Sequence, residues 1–141
     1  MALRIGELLL SKKLLTQEQL DKALIEQSRS GKFLGEIFIQ MGFVREEDLL
    51  KALADQFETH FVALDSVQIN PLIAKLVPHD LVIEHKVMPI EMRNGVLLIA
   101  VSNPLDMWPM SNLQKQLNLA DVQIVLAKKA DILQTIEKYY K

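Results

Sequence analysis

The chain has 141 residues, half of them hydrophobic, and a formal net charge of −2. That length suits one compact domain or two small lobes sharing a core, and the charge argues against a general nucleic-acid binder, which needs a basic stripe to neutralise phosphates. There is no cysteine, so disulfides, thiolate metal sites and a cysteine nucleophile are excluded.

The chain opens on a repeat. Arg4 to Gln27 reads RIGELLLSKKLLTQEQLDKALIEQ, and Phe33 to Gln56 reads FLGEIFIQMGFVREEDLLKALADQ, the same 24-residue pattern displaced by 29 residues. Gly6/Gly35, Glu7/Glu36, Leu20/Leu49, Ala23/Ala52, Leu24/Leu53 and Gln27/Gln56 are identical pairs. A tandem supersecondary unit points to a stacking scaffold or to a surface with internal two-fold likeness, which a ligand with two equivalent halves can use.

Each copy reads as a short helix, a turn and a longer helix. Ile5, Leu8 and Leu9 share one helical face. Thr16 is placed to cap the second helix, with Gln19 closing a capping box and Leu15 and Leu20 at the positions of a hydrophobic staple. Leu20, Ala23, Leu24 and Gln27 follow at spacings of three and four. Leu8 to Leu10 can also be read as a buried strand, but Glu7 and the lysines favour a helix. Ser28 to Lys32 connects the units. In the second copy Gly42 suits a left-handed helix end, and Arg45 stands where the threonine cap was.

The pattern changes after Phe57. Phe61 to Leu64 is a candidate strand, and Pro71 suits the first turn of a helix running to about Val77, stopped by Pro78. Val87 to Met92 and Val96 to Val101 flank Arg93-Asn94-Gly95, a strong hairpin signal. Ser102 to Asp106 is a loop leading into a helix from about Met107 to Leu117. Val122 to Leu126 is a strand, and Asp131 to Tyr139 a closing helix with Ile132 and Ile136 inward. The expected fold class is α+β: an N-terminal helical tandem repeat over residues 1–57, made of two helix-turn-helix units, packed on a small C-terminal α/β subdomain over residues 58–141 with a β-hairpin.

No catalytic constellation stands out. There is no phosphate loop and no GxGxxG, and His60, His79 and His85 are not spaced as metal ligands. His79, between Pro78 and Asp80, reads as a loop residue. The serines lie in no nucleophile-elbow context. Glu46, Glu47 and Asp48 open a helix, where acids complement the macrodipole. The expectation is a protein that is not an enzyme, with no metal and no cofactor.

The start of the first repeat carries binding chemistry instead. Arg4 offers a planar fork able to grip the O6 and N7 edge of guanine. A glycine beside it lets a flat ring or a phosphate approach the backbone. Helix-start amides nearby suit an anion, and Gln27 and Gln56 each carry a donor and an acceptor.

The double pattern R-[LI]-G-x-x-L followed by an L-x-x-[AL]-L-x-x-Q helix resembles the MshEN family, the N-terminal domain of type II secretion and type IV pilus assembly ATPases. The likeness extends through the -SNPLD- loop, VQIVLA and the final IEKYY, so it covers nearly the whole chain. The resemblance implies a non-enzymatic sensory domain that binds cyclic di-GMP, each repeat embracing one half of the dinucleotide. The implied binding residues are Arg4, Ile5, Gly6, Leu8, Leu9, Leu14, Leu15, Leu20, Leu24 and Gln27 from the first copy. From the second they are Leu34, Gly35, Ile37, Phe38, Phe43, Val44, Leu49, Leu53 and Gln56, with Asn103 and Asp106 from the later loop. Against the family pattern, Ile5 replaces leucine, Lys13 replaces the glycine that Gly42 supplies in the second copy, Phe33 takes the slot of Arg4, and Asn103 stands where an acid is common. The implied partners are an attached or separate secretion or pilus ATPase, or an inner-membrane platform protein, with no DNA or RNA and no membrane insertion. The implied place is the cytoplasm. The alternative is a protein–protein docking module of such a motor that binds no nucleotide.

Overall fold

The computed structural model describes residues 4–104 and 108–140, with backbone only for 108–111. It divides into two compact units, Met1–Glu58 and Thr59–Lys141.

The first unit is the tandem repeat. Its helices are α1 (Ile5–Ser11), α2 (Gln17–Ser30), α3 (Leu34–Gln40) and α4 (Glu46–Gln56). Leu8 to Leu10 is therefore helical rather than a strand. The capping box forms as the sequence predicts: Gln19 N–H donates to Thr16 Oγ1 and Thr16 N–H donates to Gln19 Oε1, each at 3.1 Å. Two helix-end donors are thereby satisfied at once. Leu15 and Leu20, at the staple positions, are both buried. Arg45 makes no side-chain cap to α4.

The connection between the copies is shorter than the sequence predicts. Helix α2 runs on to Ser30, and Gly31, at φ +70°, ends it by donating to the Gln27 carbonyl at 2.9 Å. Serines at 28 and 30 lie within the helix, their hydroxyls donating back to carbonyls three and four residues earlier.

The turns after α1 and α3 are the same turn built twice. Leu14 N–H donates to the Leu9 carbonyl and Lys13 N–H to Leu10, while Phe43 donates to Phe38 and Gly42 to Ile39, at 2.9–3.1 Å. This is the Schellman pattern, with Lys13 (φ +60°) and Gly42 (φ +75°) in its left-handed position. Within the unit α1 packs on α3 and α4, and α2 packs on α3.

The second unit carries a three-stranded sheet, β1 (Val87–Arg93), β2 (Val96–Val101) and β3 (Asp121–Leu126), in that order. Strands β1 and β2 are antiparallel, joined by Asn94 and Gly95 at φ +51° and +78°. Two consecutive positive φ values are what a tight primed hairpin turn requires. Strands β2 and β3 are parallel, and the crossover that parallel pairing demands is α7 (Trp108–Gln116). The register slips between Pro89 and Glu91. Proline has no N–H for a ladder, and β1 lies at the sheet edge, where such a break is tolerated.

Three expectations for this unit are corrected. Phe61 to Leu64 is not a strand: Phe61 makes a single bridge to Leu126, and Leu64–Ser66 is a 3-10 turn. The helix at Pro71 is only α5 (Pro71–Ala74), capped by Asn70, whose side chain accepts from Leu72 N–H at 2.9 Å. Pro78 does not simply stop a helix but precedes a new one, α6 (His79–His85), so His79 is helical rather than a loop residue. A proline just before a helix start removes an N–H that has no partner there anyway. The closing helix α8 (Lys129–Tyr139) packs on the 3-10 turn, α6, β1 and β2, with Ile132 and Ile136 fully buried. Its end is tied down by Tyr140, whose hydroxyl donates to the Ala74 and Val77 carbonyls and whose ring stacks on His79 at 5.3 Å.

Candidate functional site

The repeat distributes its side chains into two populations. Gly6, Leu8, Leu9, Leu15 and Leu20 are buried, as are their counterparts Ile37, Phe38, Val44 and Leu49, and Leu53. Arg4 and Leu24 are exposed, and Ile5, Leu14, Gln27, Leu34, Gly35, Phe43 and Gln56 are half-buried. The second population is the one with surface to offer a ligand. Leu9, Ile37 and Phe38 are at most 1 % exposed. They face the interior because α1 and α3 are short and must spend their widest apolar side chains on the core.

The glycines also have a different role from the one their flexibility implies. A methyl group placed on Gly6 would lie 2.7 Å from Leu20 Cδ1, and one on Gly35 would lie 3.2 Å from Leu49 Cδ2. These pairs match across the repeat. The missing side chain admits a leucine from the following helix. Glycine here is a packing residue, and its repetition is a signature of the fold.

Arg4 and Phe33 are the N-cap residues of α1 and α3, both seven residues long, with φ of −64° and −62° and ψ of 151° and 138°. Neither makes a side-chain cap. The two side chains therefore leave equivalent backbone positions in equivalent directions. The residue before Phe33 is held: Gln27 Nε2 donates to the Lys32 carbonyl at 3.3 Å, and Lys32 N–H donates to Ser30 Oγ at 3.3 Å. In the second copy the matching Gln56 has a buried Oε1 with no partner among the described residues.

Besides Leu24, this unit exposes apolar side chains at Ile25, Phe33, Met41 and Ile39, of which the sequence singles out only Phe33, as the residue in the slot of Arg4. Ile25 is 63 % exposed, Phe33 57 %, Met41 41 % and Ile39 36 %. A helical wheel would have found Ile25, which falls off the face made by Leu20, Ala23 and Gln27. Asn103 is half-buried in the second unit, and Asp106 lies outside the described residues. Among the described residues no His, Asp or Glu cluster is arranged to hold a metal, and no helix is long and apolar enough to cross a membrane.

Comparison with known proteins places these features. A family model described as the MshEN domain matches residues 57–141. Across the whole chain, the type IV pilus assembly ATPase PilB of Myxococcus xanthus is 31% identical over 137 residues. The match takes in 97% of this chain but 24% of that protein, so the chain spans about a quarter of its relative's length. A solved structure of MshE with cdg superposes with a TM-score of 0.89 at 28% identity, covering 98% of this chain and 99% of the other. The N-terminal domain of XpsE shares the fold, with a TM-score of 0.80 at 20% identity over 98% of this chain and 94% of that one.

Proposed function

Because the chain belongs to the MshEN domain family, whose domains regulate rather than catalyse, we propose that it is a cyclic di-GMP sensor of the kind attached to type IV pilus and type II secretion ATPases. The observation that carries this reading is the doubled surface. Two segments 29 residues apart build the same helix, the same Schellman turn and the same glycine–leucine contact. A ligand made of two identical halves is the natural complement of such a surface. The reading is supported by the likeness to MshE solved with cdg, which we take to be cyclic di-GMP.

In this reading Arg4 grips a guanine edge with its fork. Ile5, Leu14, Leu24, Leu34 and Phe43 supply apolar contact to bases and sugars. Gln27 and Gln56 add polar contacts at the ends of the two copies. The domain acts in the cytoplasm, and its output passes to an ATPase in the same chain or in a partner.

A second reading is a docking module for a protein of the secretion or pilus motor. The exposed Ile25, Phe33 and Met41 are apolar surface that a protein partner could cover. Titration calorimetry with cyclic di-GMP, GTP and ATP separates the two. Saturable one-to-one binding of cyclic di-GMP alone supports the sensor. No heat at high micromolar ligand leaves the docking module.

A further inference from the structure

The two halves of the repeat are equivalent in backbone and unequal in chemistry. Arg4 and Phe33 occupy matched N-cap positions with closely similar φ and ψ, yet one is a cation with five donors and the other a bare ring. Phe33 is 57 % exposed, and its backbone is held by the pinned Gly31–Lys32 turn. An uncovered aromatic ring has little structural use where it stands. A guanidinium plane and a benzene ring do share one capability: both stack on the face of a nucleobase. Only the guanidinium can also read the base edge.

We infer that Phe33 is the stacking surface for the second base of the ligand, so that this half of the site recognises a purine by its face while the Arg4 half recognises guanine by its edge. The inference rests on the cyclic dinucleotide reading above and sharpens its specificity. Guanine and adenine offer similar faces, so the Phe33 half accepts either. The Arg4 half does not, because adenine presents an amino donor where guanine presents O6, and a donor there opposes the donors of arginine. A mixed ligand can orient its guanine toward Arg4, so the site tolerates one adenine and rejects two.

The test is calorimetric titration of the full chain with cyclic di-GMP, the mixed guanine–adenine cyclic dinucleotide, and cyclic di-AMP. The mixed ligand is expected to bind within about threefold of cyclic di-GMP, and cyclic di-AMP about tenfold or more weaker. Phe33→Leu keeps apolar bulk without a flat face and should weaken both guanine-containing ligands about tenfold. Phe33→Arg should restore the preference for cyclic di-GMP over the mixed ligand. Phe33→Trp should bind at least as well as the parent and show quenched emission on binding, measured against the parent's own tryptophan signal. A mixed ligand as weak as cyclic di-AMP, unchanged affinity in Phe33→Leu, or unquenched emission in Phe33→Trp overturns this inference while parent binding of cyclic di-GMP keeps the sensor reading intact. A parent that binds none of the three overturns both.

Discussion

Lys13 and Gly42 occupy the same left-handed position in two copies of one turn, at φ +60° and +75°. Both N–H groups donate to the carbonyl three residues back, at 3.1 Å. The turn is therefore indifferent to the residue in its hydrogen bonding and sensitive to it in its backbone energy. Glycine takes this conformation freely. A lysine there brings its Cβ close to the following carbonyl, at a cost of roughly 1–2 kcal/mol.

Lys13→Gly should therefore stabilise the protein. Part of the relief is lost to the greater freedom of glycine in the unfolded chain, so the expected gain is about 0.5–1 kcal/mol. The reverse change, Gly42→Lys, should destabilise by a similar amount. Urea unfolding monitored by circular dichroism measures both, and a Lys13→Gly variant no more stable than the parent would show that the lysine side chain repays the strain.

Gly6→Ala and Gly35→Ala should differ although the positions match. At Gly6 the new methyl would sit 2.7 Å from Leu20 Cδ1, and the buried Leu20 must move. Crowding of a packed core by one carbon costs about 1–3 kcal/mol. At Gly35 the nearest atom is 3.2 Å away, and the small crowding is offset by the roughly 0.5–1 kcal/mol that alanine gains over glycine in a helix. The expected outcome in thermal unfolding is a clear loss for Gly6→Ala and little change for Gly35→Ala.

Burial raises the Tyr140 hydroxyl from its ordinary value near 10 to about 12. The folded state holds the neutral phenol, which donates to the Ala74 and Val77 carbonyls, while the unfolded chain releases the proton near pH 10. The unfolded state thus binds fewer protons between about pH 10 and 12, and stability falls as pH rises through that window. Below pH 10 the contribution is complete. Tyr140→Phe should cost roughly 1–2 kcal/mol at neutral pH by removing the donor. It should also flatten the alkaline limb of a stability–pH profile.

Arg4→Ala should weaken cyclic di-GMP binding by roughly 1–3 kcal/mol, the worth of a bidentate contact to guanine. Stability should move by less than about 0.5 kcal/mol, because the side chain is exposed and makes no cap. The backbone carbonyl of residue 4, which accepts from Leu8 N–H at 2.9 Å, is kept in the variant. Calorimetry and thermal unfolding on the same sample separate the effects. Lost folding with retained affinity would make Arg4 structural.

Much of the fold was legible because its signals are local. The capping box at Thr16 and Gln19, the Asn94–Gly95 hairpin and the left-handed Gly42 are each decided within a few residues by hydrogen-bonding geometry or by sterics. The repeat was legible for another reason: two copies of one pattern test each other. What local chemistry could not decide is which neighbour a side chain meets. Periodicity put Leu9, Phe38, Leu24 and Gln27 on apolar faces alike, and only packing of one helix on another buried the first two and left Leu24 exposed. Gly6 is marked in the sequence by its repetition, but only the structure shows Leu20, fourteen residues on, packed against it. Phe61 had the composition of a strand, but a strand needs a continuous ladder, and Leu126 supplies a single bridge. Helix α6 was hidden behind Pro78, whose ring reads equally as a stop or a start until the residues it precedes find something to pack on. The sequence alone determined the repeat, the turns and the family. The tertiary structure decided which members of the repeat are core and which are surface, because burial is a property of pairs of elements and no single element carries it.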